Sequence, residues 1–115
     1  MVESEWLAVR DWLVPAMTDT TEAEVIGEIL SGRAQLWRGD TAAIVTQLTR
    51  PPPTIHCWLA GGEMAGIMDL RPGIEAWGRA QGCETVTLEG RPGWARMLAA
   101  QGYTADGDEL RKALR

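Results

Sequence analysis

The chain has 115 residues, a formal net charge of −5 and a sequence pI of about 4.8. That length supports one domain with its own core. The acidic balance argues against nucleic acid as the main partner, because a phosphate surface calls for clustered Lys and Arg. Lys112 is the only lysine. No apolar run approaches the ~18 residues of a membrane span. The start, Met1 to Trp6, lacks the basic-then-apolar pattern of a signal peptide, which points to the cytosol and to reduced Cys57 and Cys83. Two cysteines without close histidines make no zinc site. The aromatic set is six Trp, one Tyr and no Phe. Trp therefore fills the core, or some of it lies at an interface.

In chain order, Ser4 to Val14 predicts a helix with Trp6, Val9 and Leu13 on one face, stopped by Pro15. Thr21 to Glu24 has the form of a capping box. The helix that it opens turns Val25, Ile26, Ile29 and Leu30 inward and ends at Ser31-Gly32. Ala34–Arg38 and Thr41–Thr49 read as a hairpin, with Ala42, Ile44, Thr46 and Leu48 on one face. The tripeptide Arg38-Gly39-Asp40 is explained by that turn alone. Pro51, Pro52 and Pro53 form a stiff connector on which sheet pairing cannot continue.

Thr54–Ala60 alternates, with Ile55, Cys57 and Leu59 on one face and Thr54, His56 and Trp58 on the other. Gly61-Gly62 breaks the pattern. Met64, Ile67, Leu70, Ile74 and Trp77 then share one helical face as far as Gln81. Gly82 is a left-handed C-terminal cap. Pro72 predicts a break near Leu70-Arg71, since an interior proline costs ~3 kcal/mol. Glu84–Glu89 is a second strand, parallel to the first through a right-handed crossover. A short helix follows from Trp94 to Gln101, with Trp94, Met97 and Leu98 inward. Glu109–Leu114 reads as a last strand, although it would also suit a helix. The fold class is mixed α+β and α/β: a central mixed sheet with one parallel strand–helix–strand crossover, flanked by helices.

Among the charged and polar residues, His56 sits mid-strand beside Trp58. It reads as a half-buried sheet residue, with general-base work as the alternative. Glu63, Glu75 and Glu89 read as solvated or helix-capping charges, Glu89 being the best placed for a cleft. Arg91 and Trp94 either anchor their loop to the core or contact a partner.

The order of elements resembles the GNAT fold of N-acetyltransferases over roughly Thr21 to Tyr103, with 1–115 as a single GNAT-like domain. Within that superfamily the chain is most similar to small uncharacterised phage and prophage proteins. The similarity lies in Gly32-Arg33 with Gln35-Leu36-Trp37, Leu59-Ala60-Gly61-Gly62-Glu63, Ile74-Glu75-Ala76-Trp77, Gly82-Cys83 and Glu89-Gly90-Arg91-Pro92-Gly93-Trp94. The resemblance implies acetyl-CoA chemistry, with the backbone amides of Gly61, Gly62, Glu63 and Met64 at a pyrophosphate. Three departures stand against it. No Arg or Lys flanks the glycines. Glu63 occupies the helix start. Arg91 and Leu98 stand where many active members have Asn and a proton-donating Tyr. The resulting reading is a degenerate, non-enzymatic protein that uses no cofactor and binds a phage or host protein through Arg91 and Trp94. It would act in virion assembly or in the bacterial cytoplasm, with no nucleic-acid or membrane partner and with a homodimer left open. The alternative is an active acetyl-CoA-dependent N-acyltransferase on an unknown amine, with His56 or Glu89 as base.

Overall fold

A computed structural model describes residues 2–89 and 93–114, with side chains from residue 4 onward. Helix α1 (Val2–Leu13) runs into a single 3-10 turn at Val14–Ala16, and α2 (Glu22–Leu30) follows. The N-cap half of the capping box is present: the Glu24 amide donates to the Thr21 hydroxyl at 3.2 Å, and the Glu24 carboxylate reaches back to accept from that hydroxyl at 3.2 Å. The strands are β1 (Ala34–Arg38), β2 (Ala42–Thr49) and β3 (Thr54–Gly62). Then come α3 (Met64–Ala80), β4 (Thr85–Glu89), α4 (Trp94–Ala99), β5 (Thr104–Asp106) and β6 (Glu109–Ala113). The six-stranded sheet has the order β1-β2-β3-β4-β6-β5. Only β3 and β4 are parallel, as the crossover requires.

The sheet separates two cores because the central strands alternate apolar residues on both faces. On β2, Ala42 and Ile44 face α3 and α4, while Ala43 and Val45 face α1 and α2. The first side is built from Ile55, Ile67, Ile74, Val86, Leu98 and Tyr103. The second is built from Trp6, Val9, Leu13, Val25 and Leu59. Among the described residues no apolar side chain of β4, β5 or β6 joins the buried cluster on the α1/α2 side, where β4 instead presents the buried Thr87.

Several sequence expectations change. Leu59 does not share a face with Cys57. The ladder pairs Val45 with Leu59 but Thr46 with Cys57, so Trp58 is an extra, bulged residue. A bulge shifts the alternation by one residue, and it turns Trp58 and Leu59 to the same side. Gly61 and Gly62 extend β3 opposite Ala43 and Ala42 instead of ending it. Helix α3 continues through Pro72. Pro72 lies on the exposed side of the helix, where water can reach the carbonyl that it leaves unbonded. Leu30 and Met97 are exposed, not inward, and Trp94 is only half-buried. Gly82 does cap α3, with φ +84 and the Cys83 amide bonded back to the Gly78 carbonyl at 2.9 Å.

Candidate functional site

Strands β3 and β4 pair from Thr54–Thr85 to Cys57–Leu88 and no further. Beyond that point β3 bends at the Trp58 bulge and continues to Gly62, while β4 ends at Glu89. The parted strands open a cleft of about 250 Å³ at their carboxyl ends. Its walls include Pro15 and Ala16 after α1, Trp58 on the bulge, Glu89, and Trp94 at the start of α4. A smaller cavity of about 30 Å³ lies on the α3/α4 side. The two share Cys57, Ala60, Leu88 and Trp94, so they meet where the sheet comes apart. Burial pushes the Cys57 thiol up to about 12, which keeps it protonated and unsuited to nucleophilic attack.

The glycine loop is placed by packing. A Cβ on Gly61 would lie 1.8 Å from the Trp12 carbonyl oxygen, and one on Gly62 would lie 2.3 Å from that of Thr41. Gly62 also has φ +103. The Glu63 amide donates to the Thr41 carbonyl at 2.9 Å. Of the four amides implied for a pyrophosphate, that of Glu63 is therefore already used, and Gly61 sits within the ladder. Glu63 is the N-cap of α3 but makes no side-chain cap bond. The first-turn amides of α3 thus have no capping side chain, and these are the groups that favour an anion.

His56 and Glu89 lie on the face of the sheet opposite Ile55, Val86 and Leu88. His56 Nδ1 is 2.8 Å from the Thr87 hydroxyl, the residue beside it in the parallel register. Burial lowers the His56 pKa against the opposing pull of Glu89 and Glu109. His56 and Glu89 line one shallow basin together with Asp106, Asp108 and Glu109. Glu89 alone of these also lines the cleft. The structure therefore brings His56 and Glu89 together at the basin, and Glu89 also reaches the cleft. Trp94 lines both the cleft and the inner cavity. Arg91 lies outside the described residues.

Leu98 is buried against the inner cavity. Tyr103 is the next hydroxyl along the chain, but it donates to Glu75 at 2.9 Å. Burial, reinforced by that hydrogen bond, drives its pKa upward.

Glu75 corrects the sequence reading most sharply. It is buried, not solvated. Its carboxylate accepts from Arg71 at 2.6 Å, Lys112 at 2.7 Å and Tyr103, with Arg79 at 3.9 Å. Burial opposes its charge, but the hydrogen bonds from Lys112, Arg71 and Tyr103 together hold its pKa below the ordinary value. The signal available in sequence was the i, i+4 run Arg71–Glu75–Arg79, with Glu75 beside the inward positions Ile74 and Gly78.

The sequence matches no family model and no curated protein. Its fold matches solved structures. A GNAT-family protein from Desulfovibrio desulfuricans is similar at 17% identity and TM-score 0.67, over 97% of this chain and 94% of that one. A Bacillus subtilis acetyltransferase, solved in complex with CoA, is similar at 15% identity and TM-score 0.61, over 94% and 92%. Among the described residues no helix is long and apolar enough to cross a membrane. The chain has the fold of the GNAT acetyltransferases.

Proposed function

We propose that the cleft between β3 and β4 binds a coenzyme A thioester and that the protein transfers its acyl group to an amine. One observation carries this reading: the two parallel strands part at the Trp58 bulge and open a cleft beside an uncapped helix start, within a fold shared with a CoA-bound acetyltransferase. The cleft walls fit a narrow arm. The loop fits a pyrophosphate less well, because residues 59–66 contain no Arg or Lys. Affinity then rests on the first-turn amides of α3.

A bound thioester supplies an electrophilic carbonyl and a thiolate leaving group. Glu89, at the cleft wall, accepts the proton that the amine gives up on forming its new C–N bond. The acidic lining of the adjoining basin attracts a protonated amine to that place, where it first gives one proton to water and so becomes the nucleophile. The thiolate leaves as the C–S bond breaks. Leu98 offers it no proton, so water at the cleft mouth does.

Calorimetric titration with coenzyme A and acetyl-CoA tests the reading. Saturable binding is expected, to be abolished by Ala60→Trp, which fills the point where cleft and cavity meet. No binding at millimolar ligand would overturn it. The second reading is a non-catalytic protein-binding module. Glu63 at the helix start and Leu98 at the inner wall favour it, and Trp94 would be its contact residue with Arg91 three residues before it in sequence. Under that reading Trp94→Ala abolishes partner binding while coenzyme A never binds.

A further inference from the structure

Trp58 stands where the cleft meets a second opening. The bulge turns its ring to the α1/α2 side of the sheet, where it packs half-buried against that core. It lines the cleft together with Glu89. It also lines a groove of about 410 Å³ beside α2, together with Thr20, Glu24 and Gln47. A molecule that reaches from one opening into the other therefore runs along the indole. A half-buried indole at such a junction offers an apolar wall to a carbon chain and an electron-rich face to a cation.

The charges on the two sides decide which ligand fits. Among the described residues no Arg or Lys lines the cleft. In the groove Arg33 is paired with Glu28, so those two charges offset each other. Glu24 is exposed, and among the described residues its carboxylate accepts from the neutral hydroxyls of Thr20 and Thr21 alone. One carboxylate without a basic partner therefore lies on the groove side of Trp58, and Glu89 lies on the cleft side.

We infer that Trp58 is the residue that selects the amine, and that the amine selected is an elongated diamine with a positive charge at each end. This rests on the transferase reading above. The reacting nitrogen lies in the cleft at Glu89, the carbon chain lies along the indole, and the second ammonium lies in the groove between the ring and Glu24. A monoamine of the same length fills the wall but lacks the second charge. An amine that ends in a carboxylate brings that group toward Glu24 and is repelled. Transfer forms the new C–N bond as the C–S bond breaks, the amine proton passes to Glu89, and the second ammonium is left unchanged. Trp58 acts in specificity and not in the transfer step.

The test uses three four-carbon amines that differ at one end only: 1,4-diaminobutane, butylamine and 4-aminobutanoate. Steady-state transfer from acetyl-CoA gives KM and kcat, and the indole N–H signals in the protein's NMR spectrum give amine binding without a thioester. The KM for the diamine is expected about tenfold below that for butylamine, as a cation–π contact and one exposed ion pair would give. The poorest acceptor should be 4-aminobutanoate. Trp58→Leu should reduce the diamine preference to about threefold or less, acting through KM more than kcat, and Trp58→Phe should restore part of it. Should Trp58→Leu fail to fold, Glu24→Gln removes one exposed charge and should at least halve the preference. Equal KM values for the three amines overturn the inference and leave the transferase reading standing. So does a preference for butylamine, for 4-aminobutanoate or for the amino terminus of a short peptide, and so does a diamine preference that survives in Trp58→Leu. If coenzyme A does not bind but 1,4-diaminobutane shifts an indole signal saturably, and Trp58→Leu or Glu24→Gln weakens that binding, the amine site stands and the transferase reading falls. Neither transfer nor amine binding overturns both.

Discussion

Replacing Glu75 with alanine removes the carboxylate that Arg71, Lys112 and Tyr103 share. Breaking a buried ion pair by deleting one partner costs about 3–5 kcal/mol, because the remaining charge is left uncompensated. Here two cations are left. Their side chains keep 19% and 21% of their exposure, so solvent recovers part of the loss. The expected destabilisation is therefore about 3 kcal/mol, at the lower end of that range. For a chain of this size that corresponds to a fall in Tm of roughly 10–15 °C. Urea unfolding followed by circular dichroism would measure it, with an unchanged m-value showing that the unfolded reference is the same. The pH dependence gives an independent check. The Glu75 pKa in the folded state lies below its ordinary 4.5. Its stabilisation is thus complete above that value and is lost as pH falls through the folded pKa. The gap in stability between wild type and Glu75→Gln should narrow on acidification below pH 4.5. A loss under about 1 kcal/mol for Glu75→Ala, or a gap that widens in acid, would refute the view that this carboxylate holds α3, β6 and Tyr103 together.

Gly61→Ala puts a methyl 1.8 Å from a backbone oxygen that cannot rotate away, so unfolding measurements should show a loss of about 3 kcal/mol or more, above the ordinary cost of overpacking. Trp94→Ala should cost only about 1–2 kcal/mol, less than for a fully buried Trp, because its ring is half-buried. The same change should weaken coenzyme A binding severalfold in calorimetry, since Trp94 lines both cavities. Glu63→Arg reverses a charge at the start of α3, an effect of about 0.3–1 kcal/mol for each charge at an exposed site. Coenzyme A affinity should rise roughly three- to thirtyfold by that estimate, and salt should erode the gain.

The β3–α3–β4 crossover was legible because periodicity changes from two to three-and-a-half at Gly61-Gly62 and back after Gly82. The capping box at Thr21 was legible for a similar reason, since its partners stand three residues apart. What could not be read were features decided between elements. The Trp58 bulge depends on how β2 meets β3, and a one-residue shift moves Leu59 to the other core. Pro72 lowers helix propensity locally, but burial of Ile67 and Ile74 on either side holds α3 together. Glu75 looked solvated because two of its partners, Tyr103 and Lys112, are 28 and 37 residues away in sequence. His56 and Glu89 were legible as candidates, yet their shared basin depends on β6 lying beside β4.

The distribution of charge across the site runs opposite to what the glycine loop alone would lead one to expect. The loop, where a polyanion would be received, carries Glu63 and no basic side chain. Arg71, which lines the inner cavity, and Lys112, which does not, are both half-buried and share the Glu75 carboxylate. The glycines themselves are required by the close approach of Trp12 and Thr41, so their presence in the sequence is explained without any ligand. The loop's departures from a strong phosphate site therefore lie in its side chains, Glu63 and the missing Arg or Lys, while its backbone course is fixed by packing against Trp12 and Thr41.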